Sequence, residues 1–195
     1  REPTQSTRTP VAAAAGAAFG LTKNVADAGD MVAKAARGAG VSGEYFQEMA
    51  FAIGQVAAVS EDELATGMTR VTKMLGEARQ GSKSAIAAFE QIGISQKDIA
   101  SGAVTSEAAF DALVGTLSSA TDPAIAAAIA TDLLGKAGAD LGPKLAGSAG
   151  AISDLRARAH ELGIVMSEDA LMASEKFGDQ MDEVQKGVEG LKIKI

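Results

Sequence analysis

The sequence contains no cysteine and no tryptophan, and it has only one histidine and one tyrosine among its 195 residues. Without cysteine there is no disulfide, no zinc–thiolate site and no cysteine nucleophile. A zinc peptidase site needs several His or Cys ligands, which His160 alone does not supply. A Ser-His-acid triad would have to use His160, and the sequence has no GxSxG motif. We interpret His160 as part of a last helical turn, in contact with the negative end of the helix.

Long apolar runs and positive charge are also scarce. The apolar run over residues 11–21 is well short of the roughly 20 residues of a membrane-spanning helix, so we predict no transmembrane segment. The net charge of −7 argues against nucleic-acid contact, which requires Lys and Arg to neutralise phosphates. Gly38, Gly40 and Gly43 have the GxGxxG spacing, but no strand precedes them, so we predict no cofactor.

Four predicted helices begin with one recurring pattern, in which an apolar residue precedes Ser and a second apolar residue follows five positions after the first. The Ser side chain accepts an otherwise unpaired backbone N–H, and the apolar pair packs as a hydrophobic staple. The staple pairs are Val41 with Phe46, Val59 with Leu64, Ile94 with Ile99, and Met166 with Leu171. Asp122 followed by Pro123 is a further start. The predicted N-caps are Ser42, Ser60, Ser95, Asp122 and Ser167, with Thr105 or Ser106 as a weaker case.

Glycines mark the predicted helix ends. Gly40, Gly93 and Gly163 each follow a helical pattern and precede an apolar residue, as expected just beyond a helix C-terminus. Gly135 and Gly138 both interrupt a later pattern. The predicted helices cover residues 22–38, 43–58, 61–80, 83–92, 106–120, 123–136, 139–146, 149–162 and 168–194, with a single turn near 96–101. No segment alternates with period two, so the predicted fold is all-α, a compact bundle of short antiparallel helices.

The predicted domain organisation has three parts. Residues 1–20 form a flexible arm, residues 21–165 form the compact helical domain, and residues 166–195 form an amphipathic C-terminal helix. The apolar residues of that last helix follow a heptad, which is typical of a coiled-coil seam and predicts self-association. The seam consists of Phe177, Met181, Val184, Val188 and Leu191. Packing of this helix back on the domain is the alternative. The start at Arg1 and the helical pattern running to Ile195 lead us to expect an excerpt from a longer protein.

The order of helices and glycines resembles that of tape measure proteins of long-tailed bacteriophages and prophages. The resemblance covers about residues 25–190 and depends on four short stretches. They are FEQIGIS at 89–95, LLGKAG at 133–138, LGPK at 141–144, and Leu-Gly at 162–163. The family often has LFG followed by Arg where this chain has Leu134, Gly135 and Lys136. None of these stretches is a catalytic motif, so no functional residue is carried over.

The resemblance implies a structural role in the virion. Tape measure proteins set tail length, occupy the lumen of the tail tube and leave it during genome delivery, after assembly in the host cytoplasm. Tail tube and tail assembly proteins are the implied partners, beside a second copy of the chain. We therefore predict a structural and assembly segment without enzymatic activity.

Two other functions stay open at this level. Some tape measures contain a peptidoglycan-cleaving domain, and the 25 acidic residues include enough carboxylates for such chemistry. Most of these acids are explained as caps or solvated faces, and aromatic residues to stack a sugar are few; Tyr45 is expected to pack in the core. The other alternative is a generic helical adaptor.

Overall fold

The computed structural model describes the backbone of residues 11–192 and the side chains of residues 24–183. Within these ranges every regular element is a helix and no strand occurs, so the predicted all-α class is confirmed. The helices are α1 (Val11–Ala39), α2 (Gly43–Ala57), α3 (Glu61–Arg79), α4 (Lys83–Gln91), α5 (Gln96–Ser101), α6 (Ser106–Ser119), α7 (Pro123–Leu134), α8 (Lys136–Leu145), α9 (Ala149–Glu161) and α10 (Glu168–Lys192).

The largest difference from the predicted bounds lies at α1. The sequence predicted a flexible arm over residues 1–20 and a helix from residue 22, whereas the helix begins at Val11. Residues 11–20 are rich in alanine, which has the highest intrinsic helix propensity of all residues. The predicted arm is therefore wrong over residues 11–20, and residues 1–10 lie outside the described part of the chain.

The chain divides into two compact units. The first contains α1 up to Met31 and α10 from Asp169, and the second runs from Val32 to Glu168. The second unit overlaps the predicted compact domain of residues 21–165 over residues 32–165. Its start differs from the prediction because the division falls inside a continuous helix, where no loop marks a boundary.

Four of the five predicted N-caps accept the expected backbone hydrogen bond. The side chains of Ser42, Ser60 and Ser95 each accept the N–H three residues later, and Asp122 accepts that of Ala124. Ser167 directly precedes α10, and its capping bond stays a prediction. Of the weaker pair, Thr105 is the cap of α6, and the structure adds one cap that was not predicted, Ser82 at α4.

The Ser60 cap is reciprocal and supports a stability prediction. Ser60 accepts the N–H of Glu63, while the Glu63 carboxylate accepts the N–H of Ser60 at 3.0 Å. We expect Ser60→Ala to lower the free energy of unfolding by about 1 kcal/mol, measured by urea denaturation. Thr66→Ala, at an exposed position of the same helix, is the control and should not destabilise. An unchanged urea midpoint for Ser60→Ala would contradict the cap.

The same pair makes this helix start sensitive to acid. The backbone N–H of Ser60, with its hydroxyl, holds the pKa of Glu63 below its ordinary value of 4.5. A carboxyl whose pKa is lower in the folded than in the unfolded state stabilises the fold above the unfolded pKa. The contribution of this group is therefore present above about pH 4.5 and is lost as the pH falls below it.

Glycines end the helices largely as predicted. Gly40, Gly93 and Gly163 all have positive φ. Each is followed by a backbone bond that closes the last helical turn, for example from Ile94 N–H to the carbonyl of Phe89 at 3.0 Å. These bonds satisfy carbonyls that the helix itself leaves free.

One predicted break is wrong. Gly135, with φ 69°, does separate α7 from α8, but Gly138 lies inside α8. The predicted helices over residues 123–136 and 139–146 are instead 123–134 and 136–145. The reason for a glycine at position 138 is packing between helices and not a turn.

The α7–α8 hairpin brings two backbones into direct contact. A Cβ added to Gly138 would lie 2.0 Å from the carbonyl oxygen of Ala130, and one on Gly142 would lie 2.4 Å from that of Ala126. Because the later glycine faces the earlier alanine, the two helices run antiparallel. Ala126 and Ala130 are fully buried, whereas Ile125 is 56% exposed. The buried residues of α7 are Ala126, Ala130, Leu133 and Leu134, and the two alanines are the ones that contact α8.

The core of the second unit is made of medium-sized apolar side chains from α2 to α8. Its largest fully buried members are Phe46, Phe89, Phe110, Met49, Ile53, Met68, Leu75, Ile99, Leu113, Leu117, Leu133 and Leu145. Residues just before α10 are tied to α2, since the Gln47 amide exchanges two hydrogen bonds with the backbone of Met166 at 2.9 and 3.0 Å.

The first unit buries Ala26, Leu171 and Ser174 among its described side chains. Val25, Met31 and Met172 are exposed. Of the predicted seam, Phe177 and Met181 are partly exposed, and the side chains of Val184, Val188 and Leu191 lie outside the described residues. In the part of the chain that the structure describes, no helix combines the length and apolar character needed to cross a membrane.

Candidate functional site

A solvent-accessible groove of about 530 Å³ lies between α2, α6 and α9. Its larger apolar lining residues are Met49, Val114 and Ile152, one on each helix, and Ala149 and Ala157 of α9 add to them. One end carries the charged side chains Glu48, Asp111, Arg156 and His160. This groove is the candidate functional site because it gathers ionisable groups from three helices that are far apart in the sequence.

Glu48 is the centre of the charged cluster. Its Oε2 accepts hydrogen bonds from Arg156 Nε at 3.0 Å and from Arg156 Nη2 at 2.9 Å. Its Oε1 lies 2.7 Å from His160 Nε2. The Glu48 side chain is only 16% exposed, so these charge-assisted bonds form with little competition from water. One carboxylate of α2 thus holds two residues of α9.

Arg156 also joins α9 to α6. Its Nη1 donates to Asp111 Oδ1 at 3.2 Å, and its guanidinium lies 5.3 Å from the centre of the Tyr45 ring. Burial by itself lowers the pKa of Arg156, but the hydrogen bond to Glu48 and the charge of Asp111 outweigh it, so the net shift is upward. The guanidinium stays charged and bridges two carboxylates while it stacks on an aromatic ring.

Tyr45 extends the cluster into the core. Its hydroxyl lies 3.0 Å from Asp111 Oδ1 and 3.2 Å from the carbonyl oxygen of Glu107. Burial, followed by the negative charge of Asp111, raises the pKa of Tyr45 far above its ordinary value of 10. The expected core position of Tyr45 is confirmed, since the residue is 6% exposed.

The predicted cap Ser42 belongs to the same network. Its backbone N–H and its hydroxyl both donate to Glu107 Oε1, at 2.7 and 2.8 Å. A second carboxylate, that of Glu168, accepts the N–H of Gly43. Two acids from distant segments thus meet the positive end of the α2 dipole. The other predicted caps, Ser60, Ser95 and Asp122, stand at separate helix starts and are not brought together.

The high pKa of Tyr45 predicts a loss of stability at alkaline pH. A group whose pKa is raised by folding stabilises the fold fully below its unfolded pKa, here about 10, and this contribution is lost as the pH rises beyond it. Tyr45 is the only tyrosine, so tyrosinate absorbance reports this residue alone. We expect tyrosinate to form together with loss of helical circular dichroism. Tyrosinate at pH 10 in an intact fold would contradict the burial.

Tyr45→Phe is the matched variant. It removes the one O–H donor, which lies within reach of both Asp111 Oδ1 and the Glu107 carbonyl oxygen, so we expect about 1 kcal/mol of destabilisation at neutral pH. Above pH 10 its free energy of unfolding should fall less steeply than that of the unaltered chain, because no phenol is left to lose its proton when the chain unfolds. Equal slopes in both proteins would assign the alkaline loss to other groups.

His160 has a partner that the sequence did not reveal. It lies in the last turn of α9, where it was expected to contact the negative helix end. In the structure its Nε2 faces the Glu48 carboxylate, 112 residues earlier in the chain. The expected position in the last turn of α9 is confirmed, and the contact with Glu48 is added to it by the tertiary structure.

Glu48, Asp111 and Arg156 were also missed. A signal for Glu48 was present, since it stands three residues after Tyr45 and four before Ala52, both of which are buried. A carboxylate within an apolar stripe needs a cationic partner when the helix packs. Which residue is that cationic partner depends on which helix packs against α2, and helical periodicity does not predict this.

The charged cluster has the features of a structural contact that holds α2, α6 and α9 together. Both oxygens of Glu48 accept hydrogen bonds, and no buried side-chain nitrogen or oxygen of the described residues lacks a partner. Within the same residues no group of three or more His, Cys, Asp or Glu side chains is arranged to hold a metal ion.

Comparison with known proteins gives no relative for this arrangement. No protein-family model, no curated protein and no solved structure matches the chain.

Proposed function

We propose that this chain is a structural and assembly segment of a phage tail tape measure protein. The proposal is carried by one observation, the resemblance of four short stretches to that family. FEQIGIS covers the end of α4, the Gly93 stop and the Ser95 cap, and LLGKAG covers the α7–α8 junction. LGPK contains Gly142, which contacts α7, and Leu162-Gly163 ends α9. The resemblance therefore falls on residues that set helix ends and helix contacts.

Within such a protein, the second unit is proposed to be a compact module and not the measuring rod. Its longest complete helix, α3, has 19 residues and spans about 28 Å. A continuous helix over residues 40–165 would span about 190 Å at the helical rise of about 1.5 Å per residue. Folding back at each glycine or capped turn shortens the reach of the chain greatly, so this block adds little length.

The test uses the phage or prophage that encodes the chain. Residues 40–165 are deleted in frame in one strain and duplicated in tandem in another, and tail lengths are measured by electron microscopy. A compact module predicts tails of nearly unchanged length after duplication, and little shortening or failed assembly after deletion. A rod predicts changes of about 190 Å in opposite directions, which would refute the compact module.

Peptide mass spectrometry of purified tails tests the family assignment separately. A tape measure segment is expected in intact tails and depleted in tails that have ejected their genome. Peptides absent from purified tails would refute the assignment. A zymogram on peptidoglycan tests the enzymatic alternative, and we expect no lytic band because the carboxylates of the groove are engaged by Arg156.

The predicted C-terminal seam supplies a proposed partner, a second copy of the chain. We expect a longer fragment that extends past Ile195 to associate in analytical ultracentrifugation, because a heptad seam buries its apolar residues against another helix. Val184→Asp should dissociate it, since the new carboxylate would lie in the seam. Gln185→Asp introduces the same charge one position away and is the control. If the fragment stays monomeric at high protein concentration, the prediction that the seam mediates self-association is wrong.

A further inference from the structure

A second, smaller pocket of about 160 Å³ lies beside the α2–α3 turn, between α3, α6 and the α7–α8 hairpin. Its inner wall is formed by buried residues, namely Leu64, Gly67, Phe110, Leu134 and Leu141. An apolar cavity of about 150 Å³ is known to hold one benzene molecule. This pocket therefore has room for one branched or aromatic side chain.

Small residues keep the pocket empty of the chain's own side chains. Ala58 and Ala137 line it at the exposed edge, and Gly67 lines it inside. Even a Cβ on Gly67 would approach Leu134 Cδ2 to 3.3 Å. Apolar walls without neighbours forgo dispersion contacts, and an apolar group that enters from outside restores them.

The entrance is predominantly acidic. The exposed residues Glu63 and Asp140 carry negative charge there and Lys144 carries positive charge. Two carboxylates thus stand at the entrance beside one ammonium group, and an approaching cationic segment is favoured over an anionic one.

We propose that this pocket binds one large apolar side chain, such as leucine, from a partner protein segment that carries Lys or Arg beside it. An apolar centre with a charged, exposed edge is the arrangement in which a single anchoring side chain dominates a protein interface. The size of the pocket fits one large apolar side chain of the partner, and the negative charge at the entrance favours Lys or Arg beside that side chain. The assignment is independent of the proposed role in a phage tail.

The test is a nuclear magnetic resonance titration of the isotope-labelled chain with blocked tripeptides. Lys-Leu-Lys is expected to shift the amide signals of residues that line the pocket, with a Kd about tenfold lower than that of Lys-Ala-Lys. Glu-Leu-Glu should bind more weakly than Lys-Leu-Lys, and the difference should shrink at high salt. Equal binding of the leucine and alanine peptides would overturn the proposal, as would preferred binding of Glu-Leu-Glu.

Two pairs of variants separate the pocket from the rest of the surface. Ala137→Leu places a larger side chain at the edge of the pocket and should abolish the shifts, while Ala139→Leu, exposed on the same helix outside the pocket, should keep them. Asp140→Asn should weaken Lys-Leu-Lys, and Asp154→Asn, exposed on α9, should not. Retained binding in Ala137→Leu would place the contact elsewhere and overturn the assignment.

A titration with benzene tests whether the pocket binds a free small molecule instead of a side chain of a partner protein. Benzene shifts confined to the pocket, together with the leucine-dependent peptide shifts, support a side-chain anchor. Benzene binding without any peptide preference would assign the pocket to a free small molecule and overturn the partner segment. No shift with either probe would mean that the pocket is closed in solution, which also overturns it.

Discussion

Gly138→Ala and Gly142→Ala are each expected to destabilise the second unit by more than about 3 kcal/mol, or to prevent its folding. The added methyl group would lie 2.0 Å from the Ala130 carbonyl oxygen in the first variant and 2.4 Å from the Ala126 carbonyl oxygen in the second. Both obstacles are backbone atoms of α7, which no side-chain rotation can move away. Relief therefore requires separating α7 from α8, which would expose the buried Ala126 and Ala130.

Two opposing effects make this prediction informative. Replacing glycine by alanine inside a helix raises intrinsic helix stability by up to about 1 kcal/mol. Gly115→Ala isolates this gain, because position 115 is inside α6 and a Cβ there meets no atom within 4 Å. We expect Gly115→Ala to be stabilising and the two α8 variants to be strongly destabilising in urea denaturation followed by circular dichroism. Equal effects at positions 115 and 138 would show that the hairpin is not closely packed.

Glu48→Ala is expected to lower the free energy of unfolding by about 2 kcal/mol. It removes the shared acceptor of Arg156 and His160, and charge-assisted hydrogen bonds contribute about 1.5–3 kcal/mol each without simple additivity. Arg156 is 31% exposed and keeps its bond to Asp111, so part of the loss is recovered by water and by the remaining carboxylate. The measurement is again urea denaturation, and Glu90→Ala, at an exposed position of α4, should change stability by less than about 0.5 kcal/mol.

A double-mutant cycle tests whether Glu48 acts through α9. Arg156→Ala alone should also destabilise, and Glu48→Ala should then have a smaller effect in the Arg156→Ala background, because its main partner has been removed. Arg156→Lys should remain less stable than the unaltered chain, since an ammonium group does not bridge Glu48 and Asp111 while stacking on Tyr45. Strictly additive losses would mean that the two side chains stabilise the fold independently.

The all-α class and most helix bounds could be predicted because their signals are local. Ser60 accepts an N–H three residues away, and the positive φ of Gly93 supports a backbone bond that spans only a few residues. Such interactions operate within one turn of the chain, so residue type and spacing are sufficient to identify them. The start of α1 was missed because the arm predicted for residues 1–20 gave too little weight to the alanine-rich residues 11–20, whose intrinsic helix propensity is high.

The sequence by itself determined the helix starts at Ser42, Ser60, Ser95 and Asp122 and the helix ends at Gly40, Gly93 and Gly163, because capping chemistry is confined to a few adjacent residues. Only the tertiary structure decided that Gly138 is a packing position, that α7 buries its alanines, and that Glu48 binds His160 and Arg156. These contacts join residues of different helices, so they depend on how the helices are placed against one another. A glycine that ends a helix and a glycine that lets two helices touch look alike in sequence, although the first is favoured by a positive φ and the second by the lack of space for a Cβ.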